Sequence, residues 1–347
     1  MVKYKNTFAK EIHIGPKTVR ENGPCFIIAE AGLNHNGNLE LAKKLIDVAV
    51  EAGADAVKFQ TFKAEEENTK KLSAYLEMIK KMEFGEEDHK VLIDYCQKKN
   101  IIFLSTPSEE ISADLLQKLK VPAFKIASND IVTTPMLVKI AKFGKPMIVS
   151  TGMAELGEIG EAVDVIRSSG NRDLILLHCT SSYPTPLKDL NLRVMETLKK
   201  EFGSLVGFSD HSEGLEAAPL AVLLGAVIIE KHFTLDKNMS GPDHKMSLLP
   251  KELKELVKRI RHAEKMRVIL GSFIKKPTAM ELKVRKITRK GIVARRAIKK
   301  GEVIKISMLA YKRPALGISP KFYRQILGRK TKVDLAKDEF IEKKFLS

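Results

Sequence analysis

Short apolar runs alternate along most of the chain with longer stretches in which apolar residues recur every three to four positions. The first pattern is that of strands buried on both faces, the second that of amphipathic helices. Strands are predicted over residues 26–29, 54–59, 101–104, 123–126, 147–149, 174–177, 205–208 and 227–229. Helices are predicted over 39–51, 88–99, 109–119, 135–143, 158–168, 190–201, 215–224 and 251–269. Eight strands, each followed by a helix, predict an α/β fold closed into a (β/α)8 TIM barrel. An open doubly wound sheet is the alternative, but no G-x-G-x-x-G follows the first strand.

Near residue 286 the pattern changes to short strands and turns, as in Gly291-Ile-Val-Ala and Lys299-Lys-Gly-Glu-Val-Ile. The expected organisation is a barrel over 1–275, whose first 25 residues cap the floor, a linker over 276–285 and a small β-rich domain over 286–347. So thin a second core is expected to lean on a partner or on the barrel.

Composition narrows the class. A chain of 347 residues with 44% hydrophobic content accommodates one barrel of about 250 residues and an appendix. No stretch has the length and apolarity of a membrane span, and Met1-Val-Lys-Tyr-Lys-Asn6 lacks the apolar centre of a signal peptide, so a soluble, cytoplasmic protein without a membrane partner is expected. Cys25, Cys96 and Cys179 fall singly, which favours reduced thiols over a disulfide framework or a thiolate zinc site. The net charge of +17 comes from lysines interleaved with glutamates, and no basic block alternates with aromatics. A solvated surface is therefore favoured over nucleic-acid binding, and the same field suits an anionic small substrate.

In a barrel of this kind the chemistry collects at the C-terminal ends of the strands. Those ends carry Glu30, Lys58 and Gln60, Ser105-Thr-Pro107, Lys125 with Ser128, Ser150, His178-Cys-Thr-Ser-Ser-Tyr183, Ser209-Asp-His211 and Glu230-Lys-His232. Two lysines among hydroxyls and glycine-flanked turns are equipment for a phosphate. The alternative for either lysine is a side chain that snorkels past the strand end. His211 and His232, at the ends of consecutive strands and beside acids, fit a divalent ion with open positions, such as Mn2+, better than a closed zinc site. Asp210 and Glu230 are candidates to support that ion or to bind substrate. His35, His178 and His244 can each be satisfied by a loop carbonyl.

The motifs Ala29-Glu-Ala-Gly-Leu-Asn-His-Asn-Gly37, Val57-Lys-Phe-Gln60, Lys125-Ile-Ala-Ser128, Ser150-Thr-Gly-Met153, His178-Cys-Thr-Ser-Ser-Tyr-Pro184, Gly207-Phe-Ser-Asp-His211, Glu230-Lys-His-Phe-Thr234 and Gly241-Pro-Asp-His244 occur in this order. Together they resemble the sialic acid synthase (N-acetylneuraminate synthase) family, and the C-terminal segment resembles its antifreeze-like SAF domain. The resemblance implies a transferase that condenses phosphoenolpyruvate and water with an open-chain N-acylated aldose, typically N-acetylmannosamine. The products are N-acetylneuraminate and phosphate, formed by C–O cleavage. It implies Mn2+, with Mg2+ or Co2+ as alternatives, on His211 and His232. Phosphoenolpyruvate falls to Lys58, Lys125, Ser128, Ser150, Ser181 and Ser209, and catalysis to Glu30, Lys58 and Glu230. Gln60, Tyr183, Asp243 and Arg313 match sugar-binding positions, with Arg313 reaching the barrel of a partner subunit in a domain-exchanged homodimer. One departure is Ala315, where the family usually has glycine after proline.

The sugar stays open among N-acetylmannosamine, its 6-phosphate and a diacetamido-hexose, the last making the protein a legionaminic or pseudaminic acid synthase. More distant readings are another metal-dependent, phosphate-handling barrel enzyme or a non-catalytic ice or nucleic-acid binder. A sugar isomerase or abasic-site endonuclease usually needs more carboxylate or histidine ligands and has no need of Lys58 and Lys125. An ice-binding surface is disfavoured by the Lys- and Arg-rich C-terminal segment.

Overall fold

The computed structural model describes residues 7–347, and its contacts divide the chain into two units, Met1–Leu270 and Gly271–Ser347. The first holds eight parallel strands, Phe26–Gly32, Ala56–Thr61, Ile102–Pro107, Phe124–Ile126, Met147–Ser150, Leu174–Cys179, Leu205–Asp210 and Ile228–His232, which are barrel strands one to eight. They pair in the order three, two, one, eight, seven, six, five, four, and strands three and four lie side by side to complete the ring. The sheet is thus a nearly closed TIM-like barrel.

Seven of the eight strands run past the apolar stretch that predicted them. Side chains on a strand alternate between faces, and the inward face changes character with height. Ile28, Ala56, Leu104, Ala123, Ile148 and Ile228 belong to the apolar interior cluster. Two residues further on, one pleat higher, the same six strands present Glu30, Lys58, Thr106, Lys125, Ser150 and Glu230, all buried. The hydrophobic signal stops there while the backbone ladder continues. Gly207 is required in strand seven beside the apolar layer, because a β-carbon there would lie 2.6 Å from the Ile228 carbonyl oxygen and from Leu177.

The surrounding helices, Leu39–Ala52, Glu86–Lys98, Glu110–Lys118, Thr134–Lys142, Leu156–Ser168, Val194–Phe202, Ala217–Leu223 and Pro250–Met266, overlap the eight predicted ones. The first shows why. Asn38 accepts hydrogen bonds from the Glu40 and Leu41 amides, a cap that contributes about 1 kcal/mol. Ala42, Leu45, Ile46 and Ala49 form its buried stripe, and Gly53, in the left-handed region at φ 82°, ends it.

Two features escape the hydrophobic pattern. An antiparallel hairpin, Glu11–Ile14 with Lys17–Arg20, presses Ile12, Ile14 and Val19 into the interior cluster, which makes the expected floor cap a plug. Between strand two and its helix, Ala64–Glu67 and Ser73–Lys80 form short helices around Leu33, Phe62, Leu76, Ile79 and Met82.

The second unit has its own core, including Ile292, Ile298, Ile304, Leu309, Ile318, Leu335 and Ile341, around a two-stranded antiparallel sheet, Gly291–Ala294 with Leu309–Lys312. The stretch expected to be a linker is largely helical, over Ala279–Thr288. Thr278 caps it by accepting from the Glu281 amide, and none of its side chains is buried in the chain. Among the described residues no helix is long and apolar enough to cross a membrane.

Candidate active site

A cavity of about 410 Å³ opens at the C-terminal ends of the barrel strands, and Glu30, Lys58, Gln60, Lys125, Ser128, Ser150, Ser181, Tyr183, Ser209, His211, Glu230 and His232 all line it. Twelve of the fourteen site residues expected from the sequence therefore meet in one place. Asp243 lies beside them, its Oδ2 atom 3.7 Å from His232 Nδ1. Arg313 belongs to the second unit, where it is exposed.

Two buried ammonium groups organise the cavity floor. Lys58 Nζ stands 2.9 Å from Glu30 and 3.8 Å from Glu230, and it donates to the Thr106 hydroxyl at 2.7 Å. Lys125 Nζ donates to the Ser150 hydroxyl at 2.7 Å and to the Ile126 carbonyl at 3.0 Å, and it stands 3.7 Å from Glu230. Neither lysine snorkels: both are about 3% exposed. Burial of an unpaired ammonium is costly, so the carboxylates are the counter-charge that lets the lysines exist there.

The two carboxylates differ. Burial pushes the Glu30 carboxyl up to about 7, against the pull of Lys58. Burial acts on Glu230 in the same direction, but Lys125 and Lys58, with a hydrogen bond donated by Ser209 at 3.0 Å, outweigh it and hold that carboxyl below its ordinary range. Glu30 is thus poised to exchange a proton near neutrality, whereas Glu230 is a fixed negative charge.

The opposite wall is aromatic. The His211 and His232 ring centres are 5.5 Å apart, and Tyr183 lies 4.2 Å from His211. Burial lowers the pKa of both imidazoles, which keeps them neutral. His211 Nδ1 lies 2.9 Å from the Thr180 carbonyl, so it carries the proton, and Nε2 keeps its lone pair. His232 Nδ1 is buried without a hydrogen-bond partner. Two neutral imidazoles, one with an orphaned buried nitrogen, fit a divalent cation with positions left for substrate oxygens. Among the described residues no group of three or more His, Cys, Asp or Glu is arranged as a metal site, so the protein's share would be this pair.

Small hydroxyls complete the enclosure. Ser128 accepts from the Gly152 amide at 3.0 Å, and Ser181 Oγ is buried without a partner. A β-carbon at Gly152 would lie 2.3 Å from Ser181 Oγ and 2.7 Å from Ser128 Oγ, so only glycine lets these hydroxyls and a backbone amide converge. Gln60 Nε2 reaches Glu30 at 3.4 Å.

Asp210 does not face this cavity. It points to the outer side of the wall and pairs with Lys231, because strand alternation places it opposite Ser209 and His211. His178 and His244 are engaged elsewhere, on the Leu190 carbonyl at 2.6 Å and the Thr234 hydroxyl at 2.6 Å, and His35 stacks on Phe84 with Nδ1 near the Gly37 amide. Glu67, Tyr75, Ser108 and Met153 also line the cavity but were not expected. The helical spacing of Leu76 and Ile79 was the available signal for the segment that brings in Tyr75.

Fold and cavity together define a class, a (β/α)8 barrel whose mouth is equipped for an anionic ligand beside an imidazole pair. Residues 45–273 match the NeuB family and residues 289–347 the SAF domain. The chain is 48% identical to the N,N'-diacetyllegionaminic acid synthase of Campylobacter jejuni, over 91% of this chain and 98% of that one. It is 35% identical to the human N-acetylneuraminate-9-phosphate synthase, with 92% and 91% covered. The crystal structure of an N-acetylneuraminic acid synthetase from Leptospira borgpetersenii, in complex with citrate, superposes with a TM-score of 0.74 at 40% identity, covering 80% of this chain and 95% of that one. The chain belongs to the NeuB family and is an enzyme of the sugar-acid synthase type.

Proposed function

We propose that the barrel mouth condenses phosphoenolpyruvate with the open-chain aldehyde of an N-acylated hexose and water, giving a nine-carbon 2-keto acid and phosphate. The observation that carries this reading is the presence of two buried, carboxylate-paired lysines and two neutral imidazoles in one cavity. Among acceptor sugars, a diacetamido-hexose is favoured over N-acetylmannosamine, because identity is 48% with the N,N'-diacetyllegionaminic acid synthase against 40% with the N-acetylneuraminic acid synthetase of Leptospira borgpetersenii.

Lys58 and Lys125 take the phosphate and carboxylate of phosphoenolpyruvate, assisted by Ser128, Ser150, Ser181 and Ser209. Lys58, Lys125, Ser150 and Ser209 are held by barrel strands, and Ser128 and Ser181 by the turns that follow strands four and six, so these donors converge with little reorganisation. His211 and His232 would hold a divalent cation, Mn2+ or alternatively Mg2+ or Co2+, which supplies Lewis-acid polarisation of the aldehyde oxygen. Gln60, Tyr183 and Asp243 orient the sugar chain. Carbon three of the enol then bonds to the aldehyde carbon, and the cationic character left at carbon two is captured by water. Glu30 accepts that water's proton while Glu230 offsets the developing positive charge. The aldehyde oxygen, left as an alkoxide when carbon three bonds, takes up the proton that Glu30 accepted, and the tetrahedral centre passes its hydroxyl proton to the departing phosphate as the C–O bond breaks and the ketone forms. We further propose a homodimer in which Arg313 reaches the N-acyl group in the partner's barrel, and a reducing cytoplasm as the setting, supported by three buried, unpaired cysteines.

The deciding experiment is phosphate release by metal-stripped protein, with Mn2+ restored, against N-acetylmannosamine, its 6-phosphate and diacetamido-hexoses. Release is expected only with metal and an N-acylated sugar, fastest with a diacetamido-hexose. No release with any of them overturns the reading.

The Glu30 assignment carries a pH prediction. A base with its pKa near 7 must be ionised to act, so kcat should fall as pH drops through about 7. Glu30→Gln should lower kcat by about 10²-fold and abolish that limb. A variant profile that keeps the limb would assign it to another group.

A further inference from the structure

We infer that Lys231 and Asp210 are positioning residues that form a clamp across strands seven and eight and fix the separation of the two imidazoles; the inference rests on the metal-binding role proposed for His211 and His232.

The backbone ladder between these strands ends at the pair Lys231 and Asp210. Each histidine therefore sits one residue beyond the last pair between strands seven and eight: His232 stays paired with Glu30 of strand one and the His211 carbonyl accepts from the Thr185 amide, but no backbone pair joins the two histidine positions to each other. Side chains take over at that point. The Lys231 ammonium lies 3.0 Å from Asp210 Oδ2 and also donates to the Ser212 carbonyl, so a residue next to His232 grips both neighbours of His211. Asp210 Oδ1 tightens the same turn by accepting from the Ser212 amide at 2.9 Å and the Ser212 hydroxyl at 2.6 Å. Strand alternation turns this network to the outer face of the wall, away from the cavity that the histidines line.

Stability does not account for such an arrangement. Lys231 is 2% exposed and Asp210 1%, and a buried ion pair is commonly no more stabilising than well-packed apolar side chains of the same volume. Apolar replacements could fill the space, but they could not hold the Ser212 carbonyl and the Asp210 carboxylate from one fixed point. Directional geometry is what the pair adds. Groups that hydrogen-bond metal ligands directly change affinity by about 10–100-fold when removed, and this clamp, which acts through the chain neighbours of the histidines, is expected at the lower end of that range.

The test is Mn2+ affinity without substrates, from the electron paramagnetic resonance of free Mn2+, for wild type, Asp210→Asn and the double variant Asp210→Leu/Lys231→Met. Thermal midpoints and the Kd for phosphoenolpyruvate are measured on the same samples. The expected result is an Mn2+ Kd raised about ten-fold or more in both variants, while the phosphoenolpyruvate Kd stays within about two-fold. Asp210→Asn keeps an oxygen available to Ser212 but replaces the oxygen facing Lys231 with an amide NH2, which removes both the charge pairing and the acceptor, so it breaks the clamp alone and gives the answer if the double variant does not fold. A shifted midpoint with an unchanged Mn2+ Kd would make the pair structural and overturn the inference. Wild-type protein that binds no Mn2+ would instead remove the metal assignment on which the clamp depends.

Discussion

His232→Ala is expected to lower metal-dependent phosphate release by roughly 10³-fold or more while the protein remains folded, because the substitution removes one of the two imidazoles proposed to hold the cation. The orphaned Nδ1 atom of His232 makes no hydrogen bond that the fold would lose. Phosphoenolpyruvate binding should change little, since Lys58 and Lys125 are untouched. Turnover within about three-fold of wild type, measured after chelation and Mn2+ reconstitution, would contradict the ligand role. The same variant tests the proposed dimer. When His232→Ala is mixed and refolded with Arg313→Ala, an arginine acting across subunits restores about a quarter of the sites, one in each heterodimer, with heterodimers about half of the dimers. If Arg313 served its own barrel, mixing would give no more than the average of the two variants.

Lys125→Ala is expected to raise the KM for phosphoenolpyruvate by about 10²-fold, with the sugar KM changed less than about three-fold. The ammonium touches Ser150 and Glu230, and its loss leaves Glu230 facing Lys58 alone at 3.8 Å. Breaking one partner out of a buried charge pair costs about 3–5 kcal/mol, so the ligand-free variant should also melt earlier. The sign of its pH dependence follows from Glu230. That carboxyl lies below its ordinary value in the folded protein, so the stability it contributes is present above that ordinary value and lost as pH falls through the folded one. Without Lys125 the carboxyl rises, and this acid-labile contribution should shrink. Equal increases in both KM values would contradict a phosphate role for Lys125.

Much of this site was legible because barrel strands obey two simple rules. Their apolar runs announce the strands, and the polar residues that end the runs mark the mouth. Glu30, Ser150, Glu230 and His232 follow from that, each lying just beyond its run, and Lys58 and Lys125 interrupt their runs one residue before the end. Asp210 shows what proximity in sequence leaves open between supporting the histidines and lining the cavity. It is adjacent to His211 in sequence, yet one step along a strand reverses the face, and it belongs to the outer side with Lys231. The alternation needed to place it was present in the sequence. Glu67 and Tyr75 were less accessible, because the segment carrying them consists of short helices whose packing on Leu33 and Phe62 is a long-range matter.

The sequence by itself determined the eight-fold alternation, the identity of the rim residues and the change of pattern near residue 286, all of which follow from local periodicity. Only the tertiary structure decided which charges face one another. Lys58 is set between Glu30 and Glu230, and Glu30 and Glu230 titrate in opposite directions although both are buried carboxylates at strand ends. The physical reason is that a pattern fixes the face on which a side chain lies, whereas its neighbours across the barrel are set by strand stagger and closure. Glu30 lies nearer an ammonium, 2.9 Å from Lys58, yet its carboxyl is raised because Glu230 adds a second negative charge to its burial, whereas Glu230 stands between two ammonium groups and accepts from Ser209.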